Sequence, residues 1–230
     1  MEPTTYPKTN QIPVVATVPF SAAARGGRST VYAPGHRMSV LRFLLTVTWA
    51  AWIWLEVVAV AGPTVLDSIR GRGQPQDRGS LALLLACVGV AFVAAVRIAH
   101  LPVGALPGPA EAQLAFGLAV MWAGLALRVW SISHLGGLFS AVVVIRRDHR
   151  LVTNGPYRFL RHPSYAGALV AALGFGVALG HWTSVLILLV GWSIGIAYRI
   201  RVEEAVLRGA FGPAYDEYSA RTPRLIPRLY

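Results

Sequence analysis

Residues 162–198, HPSYAGALVAALGFGVALGHWTSVLILLVGWSIGIAY, form a run of 37 residues without a single Asp, Glu, Lys or Arg. As one helix it would extend ~55 Å, nearly twice the ~30 Å hydrocarbon layer of a bilayer. It must therefore fold back on itself, and Gly180-His181-Trp182-Thr183-Ser184 near its middle supplies a glycine, polar residues and an interfacial tryptophan for the turn. The two charged segments that bracket the run, one ending at Arg161 and one beginning at Arg199, then emerge on the same membrane face.

The rest of the chain follows the same pattern. Of 230 residues, 55% are hydrophobic and 13% charged, well under the roughly 25% charged of a soluble domain. The apolar residues gather in blocks instead of amphipathic stripes, which excludes an ordinary soluble core. Blocks at about 40–62, 81–99 and 112–132 are each long enough to cross a bilayer. With the hairpin they give an all-α integral membrane protein of about five transmembrane helices. Three regions result: a disordered amino-terminal tail over 1–38, three transmembrane helices over 39–132, and a catalytic region over 133–230 made of loop, hairpin and tail.

The tail is read as disordered because it holds Pro3, Pro13, Pro19 and Pro34, several Ser and Thr, and Gly26-Gly27. A cleaved signal peptide is disfavoured, since Pro19 breaks the apolar run that follows Val14 and only Lys8 precedes it. Cys87 is the single cysteine, which excludes an intrachain disulfide. Small residues predict close packing within the hairpin: Gly167, Ala171 and Gly174 share one face of its first helix, and Gly191 and Gly195 form a Gly-x-x-x-Gly pair on the second.

The net charge of +11 raises nucleic acid as a partner. The basic residues lie between apolar blocks, however, so membrane lipids are expected and nucleic acid is not. Fourteen arginines fall in the 63–80 and 133–163 connections and in the tail from Arg199, whereas the 100–111 connection and the 180–184 turn have neither Lys nor Arg. A five-span topology puts all fourteen on the cytoplasmic side and the amino terminus outside, against the smaller counter-signal of Lys8, Arg25, Arg28 and Arg37. Only Lys8 is lysine, and the Ala, Gly, Val and Arg richness is that of a GC-rich bacterial genome, so a bacterial inner membrane is expected.

The loop offers His149, Leu151, Val152, Tyr157, Arg161, His162 and Tyr165 as candidates, and the tail offers Arg199, Glu203, Glu204, Tyr215 and Tyr218. Asn154-Gly155-Pro156 marks a turn, and Pro163 suits the first turn of a helix, where a missing N–H costs nothing. The bland alternatives are an Arg199–Glu203 surface pair at i,i+4, interfacial rings at His134, His162 and His181, and an aromatic belt at Tyr215 and Tyr218. Glu56 inside the first span is costly unless it snorkels or pairs, with Arg128 near the same face as a partner.

His149 to Tyr157, then Arg161-His162-Pro163-Ser164-Tyr165-Ala166-Gly167, then Arg199-Ile200 with Glu203-Glu204 and Leu207, then Phe211-Gly212 with Tyr215 and Tyr218, resemble the isoprenylcysteine carboxyl methyltransferase family, which is similar in this region to the membrane phospholipid methyltransferases. The likeness covers about the last 95 residues, from about Leu135. It implies S-adenosylmethionine as cofactor, no metal, and a lipophilic or prenylated acceptor entering from the bilayer. It further implies that His149, Leu151, Val152, Tyr157, His162, Tyr165 and Glu204 surround the cofactor, with Arg199 and Glu203 at the acceptor.

The chemistry agrees in outline. The donor carries a sulfonium, an ammonium, a carboxylate and a ribose diol, which call for acidic, cationic and aromatic groups together. A carboxylate acceptor is already ionised and needs no general base, whereas an amine or hydroxyl would need one, for which Glu203, Glu204 and His162 are available. Two other classes compete. Membrane sterol reductases also carry an Arg-His before a span and a tail rich in tyrosine, but Pro163 and the Glu203-Glu204 pair favour the methyltransferases over an NADPH site. The third reading is a non-catalytic membrane protein built on the same hairpin.

Overall fold

In the computed structural model, residues 34–70, 77–139 and 151–226 are described. The expectations for residues 1–33 of the tail and for His149 lie outside those residues, whereas 34–38, expected to be disordered, is the start of a helix. Among the described residues six α-helices follow one another: α1 Pro34–Arg70, α2 Ser80–Ile98, α3 Ala110–Leu135, α4 Pro163–Ala178, α5 Trp182–Phe211 and α6 Pro213–Arg221. No strand occurs among the described residues; the sole bridge joins Ala105 to His181. Four of the described helices are long and apolar enough to cross a membrane, and α4 is a shorter apolar helix. The chain is thus an all-α integral membrane protein. The outward sides of these helices carry large apolar residues, among them Phe43, Trp54, Val90, Phe116, Val190 and Ile194, as lipid contact requires.

The uncharged run folds as the hairpin of α4 and α5. Helix α4 begins at Pro163, whose fixed φ is preorganised for the first helical position. It ends before Gly180, which turns the chain in the left-handed region at φ 70°. At this end the 103–108 connection is stitched to the turn: Leu106 N–H donates to Gly180 O (2.8 Å) and Trp182 N–H to Gly104 O (3.0 Å). His181 is not the interfacial ring expected of it. It is 2% exposed and its Nε2 lies 2.7 Å from Val103 O.

The small residues pack helices other than those predicted. Gly167 and Gly174 of α4 face α3, not α5: a Cβ placed on Gly124 would fall 2.5 Å from Gly167 O, and one on Gly117 would fall 2.6 Å from Gly174 O. Gly117 and Gly124 lie seven residues apart on α3, Gly167 and Gly174 seven apart on α4, so two antiparallel backbones touch along about two turns. Gly191 and Gly195 of α5 likewise face α2, where a Cβ on Gly195 would lie 3.0 Å from Leu84 Cα. Because lipid offers no hydrophobic drive for helices to associate, such close approach with its dispersion contacts holds the bundle. The hairpin's two arms are each clamped by a different neighbour.

A stack of aromatic rings crosses the middle of the bundle. Trp49 of α1 stacks on Phe92 of α2 (5.0 Å), Phe92 on Phe175 of α4 (5.2 Å), and Trp52 of α1 on Trp192 of α5 (5.2 Å). Below it, Arg128 of α3 meets Glu56 of α1 at 2.5 Å and also donates to Ser164 O and Oγ at the start of α4. The pairing anticipated for Glu56 is therefore present, with Trp52 Nε1 donating to its other oxygen at 3.0 Å. Two charges that would be expensive alone in the bilayer neutralise each other and tie three helices together.

A Gly124→Ala change should push α3 off α4, since the added methyl meets backbone that cannot rotate away. Thermal unfolding in detergent is expected to register roughly 1–3 kcal/mol or more of destabilisation. Gly89→Ala, whose new methyl meets nothing within 4 Å, should leave the midpoint where it is.

Candidate functional site

Helix α5 runs 30 residues, ~45 Å, so it outlasts the bilayer and carries its last turns beyond it. The site forms there, where the start of α2, the end of α3, the start of α4 and the end of α5 meet. Gly212, at φ 51°, breaks α5, and Pro213 opens α6 in a new direction. Helix α6 then lays Tyr215 and Tyr218 back against the loop. Beyond it the chain runs beside the Arg161–His162 backbone, with Arg161 N–H donating to Pro223 O (2.8 Å) and His162 N–H to Arg224 O (3.0 Å). Loop and tail are thereby one structure.

Five of the predicted site residues converge. Arg199, 1% exposed, donates from Nε to Glu203 Oε1 (3.0 Å) and to the Tyr165 hydroxyl (3.2 Å). Tyr165 in turn donates to Glu203 Oε1 at 2.5 Å. His162 sits between the two glutamates, with Nδ1 3.5 Å from Glu203 Oε2 and Nε2 3.3 Å from Glu204 Oε1. Its ring stacks on Tyr165 at 5.9 Å. Glu204, 3% exposed, faces three cationic or protonatable groups: His162, Arg161 at 3.2 Å, and Arg224, which forks onto both oxygens at 2.9–3.1 Å. The Arg199–Glu203 pair is therefore part of a buried network, not a surface pair at i,i+4.

Tyr157 belongs to an adjoining layer. Its hydroxyl donates to Ser131 O of α3 (3.3 Å), its carbonyl accepts from the Tyr218 hydroxyl (2.6 Å), and its ring stacks on His134 at 6.4 Å. Leu151 and Val152 are half-buried on the irregular segment leading into the turn at Asn154. Tyr215 and Tyr218 are no interfacial belt. They are 1% and 4% exposed, and burial pushes the Tyr218 phenol up to about 12. Burial, reinforced by the negative charge of Glu203, raises Tyr157, and burial together with Glu204 raises Tyr215. All three phenols stay neutral at physiological pH.

The network also contains residues that sequence reasoning passed over. Asp77, just ahead of α2, pairs with Arg199 Nη1, and Ser80 Oγ accepts from the same nitrogen at 2.8 Å. Asp77 also accepts from Ser80 Oγ (2.9 Å) and from Leu81 N–H (3.0 Å), so it caps the first turn of α2. A signal existed: Asp77 is one of ten acids in the chain and stands three residues before Ser80 at a helix start. Nothing in its spacing could connect it to Arg199, 122 residues away. His134, exposed at the end of α3 as an interfacial ring would be, lies 2.9 Å from Asn154 Oδ1 and braces the turn.

For His162, burial favours the neutral ring, but hydrogen bonds and charge from Glu203 and Glu204 outweigh it, and its pKa is raised above 6.5. A raised folded-state pKa contributes stability that is complete below about pH 6.5 and is lost as pH rises through the folded value. The melting temperature should accordingly fall as the buffer is taken from pH 6.5 upward, and His162→Gln should flatten that slope. A wild-type profile flat from pH 6 to 9 would show that the ring is not held protonated.

Comparison with known proteins places this region. Residues 117–209 match the model of the isoprenylcysteine carboxyl methyltransferase family. Over 109 residues the chain is 40% identical to protein-S-isoprenylcysteine O-methyltransferase of Schizosaccharomyces pombe, covering 46% of each chain. Over 115 residues it is 39% identical to protein-S-isoprenylcysteine O-methyltransferase B of Arabidopsis thaliana, covering 49% of this chain and 58% of the relative. A cobalt-zinc-cadmium resistance protein of Cupriavidus metallidurans, CzcN, is 35% identical over 100 residues, covering 43% of this chain and 46% of that protein. The matched stretch thus spans about half the length of these curated relatives. The fold is also that of a eukaryotic intramembrane Ras methyltransferase, with a TM-score of 0.60 at 23% identity, over 86% of this chain and 69% of the other. Through the hairpin and its two flanking segments, over residues 117–209, this chain is similar to the isoprenylcysteine carboxyl methyltransferase family.

Proposed function

We propose that this protein is an S-adenosylmethionine-dependent membrane methyltransferase acting on a lipophilic acceptor, a carboxylate of isoprenylcysteine type. One observation carries the reading: Arg161, His162 and Tyr165 of the loop and Arg199, Glu203 and Glu204 of α5 form one buried cluster of opposed charges at the mouth of the bundle. That cluster falls wholly within the residues that match the family model.

The residues fit the cofactor. Acid, cation and aromatic surface lie within one network, and the Tyr215 hydroxyl is buried without a hydrogen-bond partner among the described residues, an uncommon state for a phenol unless a ligand completes it. Glu204 with Arg161 and Arg224, together with the faces of Tyr157, His162 and Tyr165, would hold it; Leu151 and Val152 would complete the wall, and the family resemblance assigns His149 to the cofactor as well. Bound there, S-adenosylmethionine supplies an electrophilic methyl group on a cationic sulfur. The acceptor is an ionised oxygen, so the chain need not remove a proton. Its work is alignment and exclusion of water. Arg199 suits the acceptor end because its planar fork matches a carboxylate. Glu203 holds that fork by its Nε edge and keeps Tyr165 in place.

The site face is the end of the bundle whose segments carry Arg158, Arg161, Arg201, Arg208, Arg221 and Arg224. Arginine-rich segments favour the cytoplasmic side, which supports a site open to the cytosolic methyl donor in a bacterial inner membrane.

Protein in native-lipid nanodiscs, incubated with methyl-labelled S-adenosylmethionine and a farnesylcysteine analogue, should move label into the organic phase. Arg199→Lys is expected to lower transfer by roughly 10²-fold with donor binding retained, because an ammonium cannot reproduce the fork. Glu204→Gln should weaken donor binding by about tenfold. Tight NADPH binding with no S-adenosylmethionine binding would sink the proposal.

A further inference from the structure

Arg199 meets its surroundings along two edges. The Nε edge is fixed within its own neighbourhood by Glu203 and Tyr165. The Nη1 position is met from another helix altogether, by Asp77 and Ser80 at the start of α2. Asp77 arrives there on an unusual piece of backbone. Arg78 is the only described non-glycine residue at positive φ (48°), and Gly79 follows at 72°. A Cβ-bearing residue is strained in this region. The turn is tied to α5 besides, the Tyr198 hydroxyl donating to Arg78 O at 3.3 Å.

Resting on the methyltransferase reading above, we propose that Asp77 is a specificity-determining residue of the acceptor end: its carboxylate occupies on Arg199 the place that the acceptor's carboxylate takes, so acceptor binding is an exchange of one carboxylate for another. Arg199 already has Glu203 and Asp77 beside it, and a third carboxylate would face two negative charges against one guanidinium. Glu203 is not the one to yield, since it is also held by Tyr165 and faces His162. Asp77 is. Its Oδ2 can keep the bond from Leu81 N–H while Oδ1 gives up Arg199, and Ser80 Oγ remains on Nη1. The cap of α2 survives the exchange.

The exchange discriminates substrate from product. Transfer forms an O–CH3 bond on the acceptor and breaks the S–CH3 bond; the carboxylate becomes a neutral ester, the sulfonium becomes a neutral thioether, and no proton moves. A neutral ester competes poorly with Asp77 for a guanidinium. Asp77 returns to Arg199 as the ester leaves, so the same residue that moderates acceptor affinity promotes release of product.

Binding of a farnesylcysteine carboxylate and of its methyl ester should be measured, without any methyl donor, on full-length wild type, Asp77→Asn and Asp77→Ser in nanodiscs. Asn and Ser both retain a side-chain oxygen for the Leu81 amide, so the cap is preserved and either variant serves if the other folds poorly. The carboxylate is expected to bind about tenfold more tightly to both variants, with the ester within about twofold of wild type. Unchanged or weaker carboxylate binding, or an equal gain for ester and carboxylate, would overturn the proposal. Absence of label transfer in the wild type would defeat the methyltransferase reading instead, and that result is read in a separate assay.

Discussion

A hydrocarbon layer ~30 Å thick does not accommodate an uncharged helix of 37 residues, so the run from His162 to Tyr198 is forced to double back. Everything polar in the site follows from that fold-back. It returns Arg199, Glu203 and Glu204 to the face that Arg161 and His162 left, and it does so on helix, not on loop. Helix α5 continues unbroken out of the bilayer to Phe211, so the three charged residues inherit the rigidity of a transmembrane span. An equivalent set on a flexible tail would have to be ordered again at each binding event, at a cost of roughly 1–2 kcal/mol per residue.

The two arms of the hairpin are positioned by different partners. Glycines bring α4 against α3 and α5 against α2, at separations where a methyl group would strike backbone. This division has a chemical consequence. Because α3 grips α4, Arg128 reaches the first turn of α4 and anchors Ser164, one residue from His162-Pro163. Because α2 grips α5, Asp77 and Ser80 reach Arg199. The same close approaches that hold the bundle in lipid thus aim the groups at the site, and each otherwise costly charge acquires an opposite one: Glu56 with Arg128, Asp77 and Glu203 with Arg199, Glu204 with Arg161 and Arg224.

Much of this was legible in the chain itself. Block lengths predicted the spans α2 and α3 to within a few residues, and α1 proved longer than its apolar block at both ends. The convergence of Tyr165, His162, Arg199, Glu203 and Glu204 was also foreseen, from a set of motifs in order. What failed were statements about which surfaces touch. Gly167-x-x-x-Ala171 and Gly191-x-x-x-Gly195 announce that a helix face will be approached closely, but a small residue says nothing about who approaches, and the nearest helix in sequence was the wrong choice. The interfacial reading of His181 fails for a related reason, and the same ambiguity leaves Tyr215 and Tyr218 open to two readings in the sequence. A ring near a helix end is compatible with both an interface and a buried contact, and only the neighbouring elements separate the two.

The sequence by itself determined that the chain lies in a membrane, that its uncharged run is a hairpin, and that the charged segments on either side share a face, because these follow from lengths, charges and the thickness of a bilayer. The tertiary structure alone decided that α3 and α2 are the helices clamping that hairpin, that the tail beyond α6 pairs with the Arg161–His162 backbone, and that Asp77 stands against Arg199. Those contacts join residues 36 to 122 positions apart, and they exist only where backbones come close enough for side chains with no common periodicity to meet.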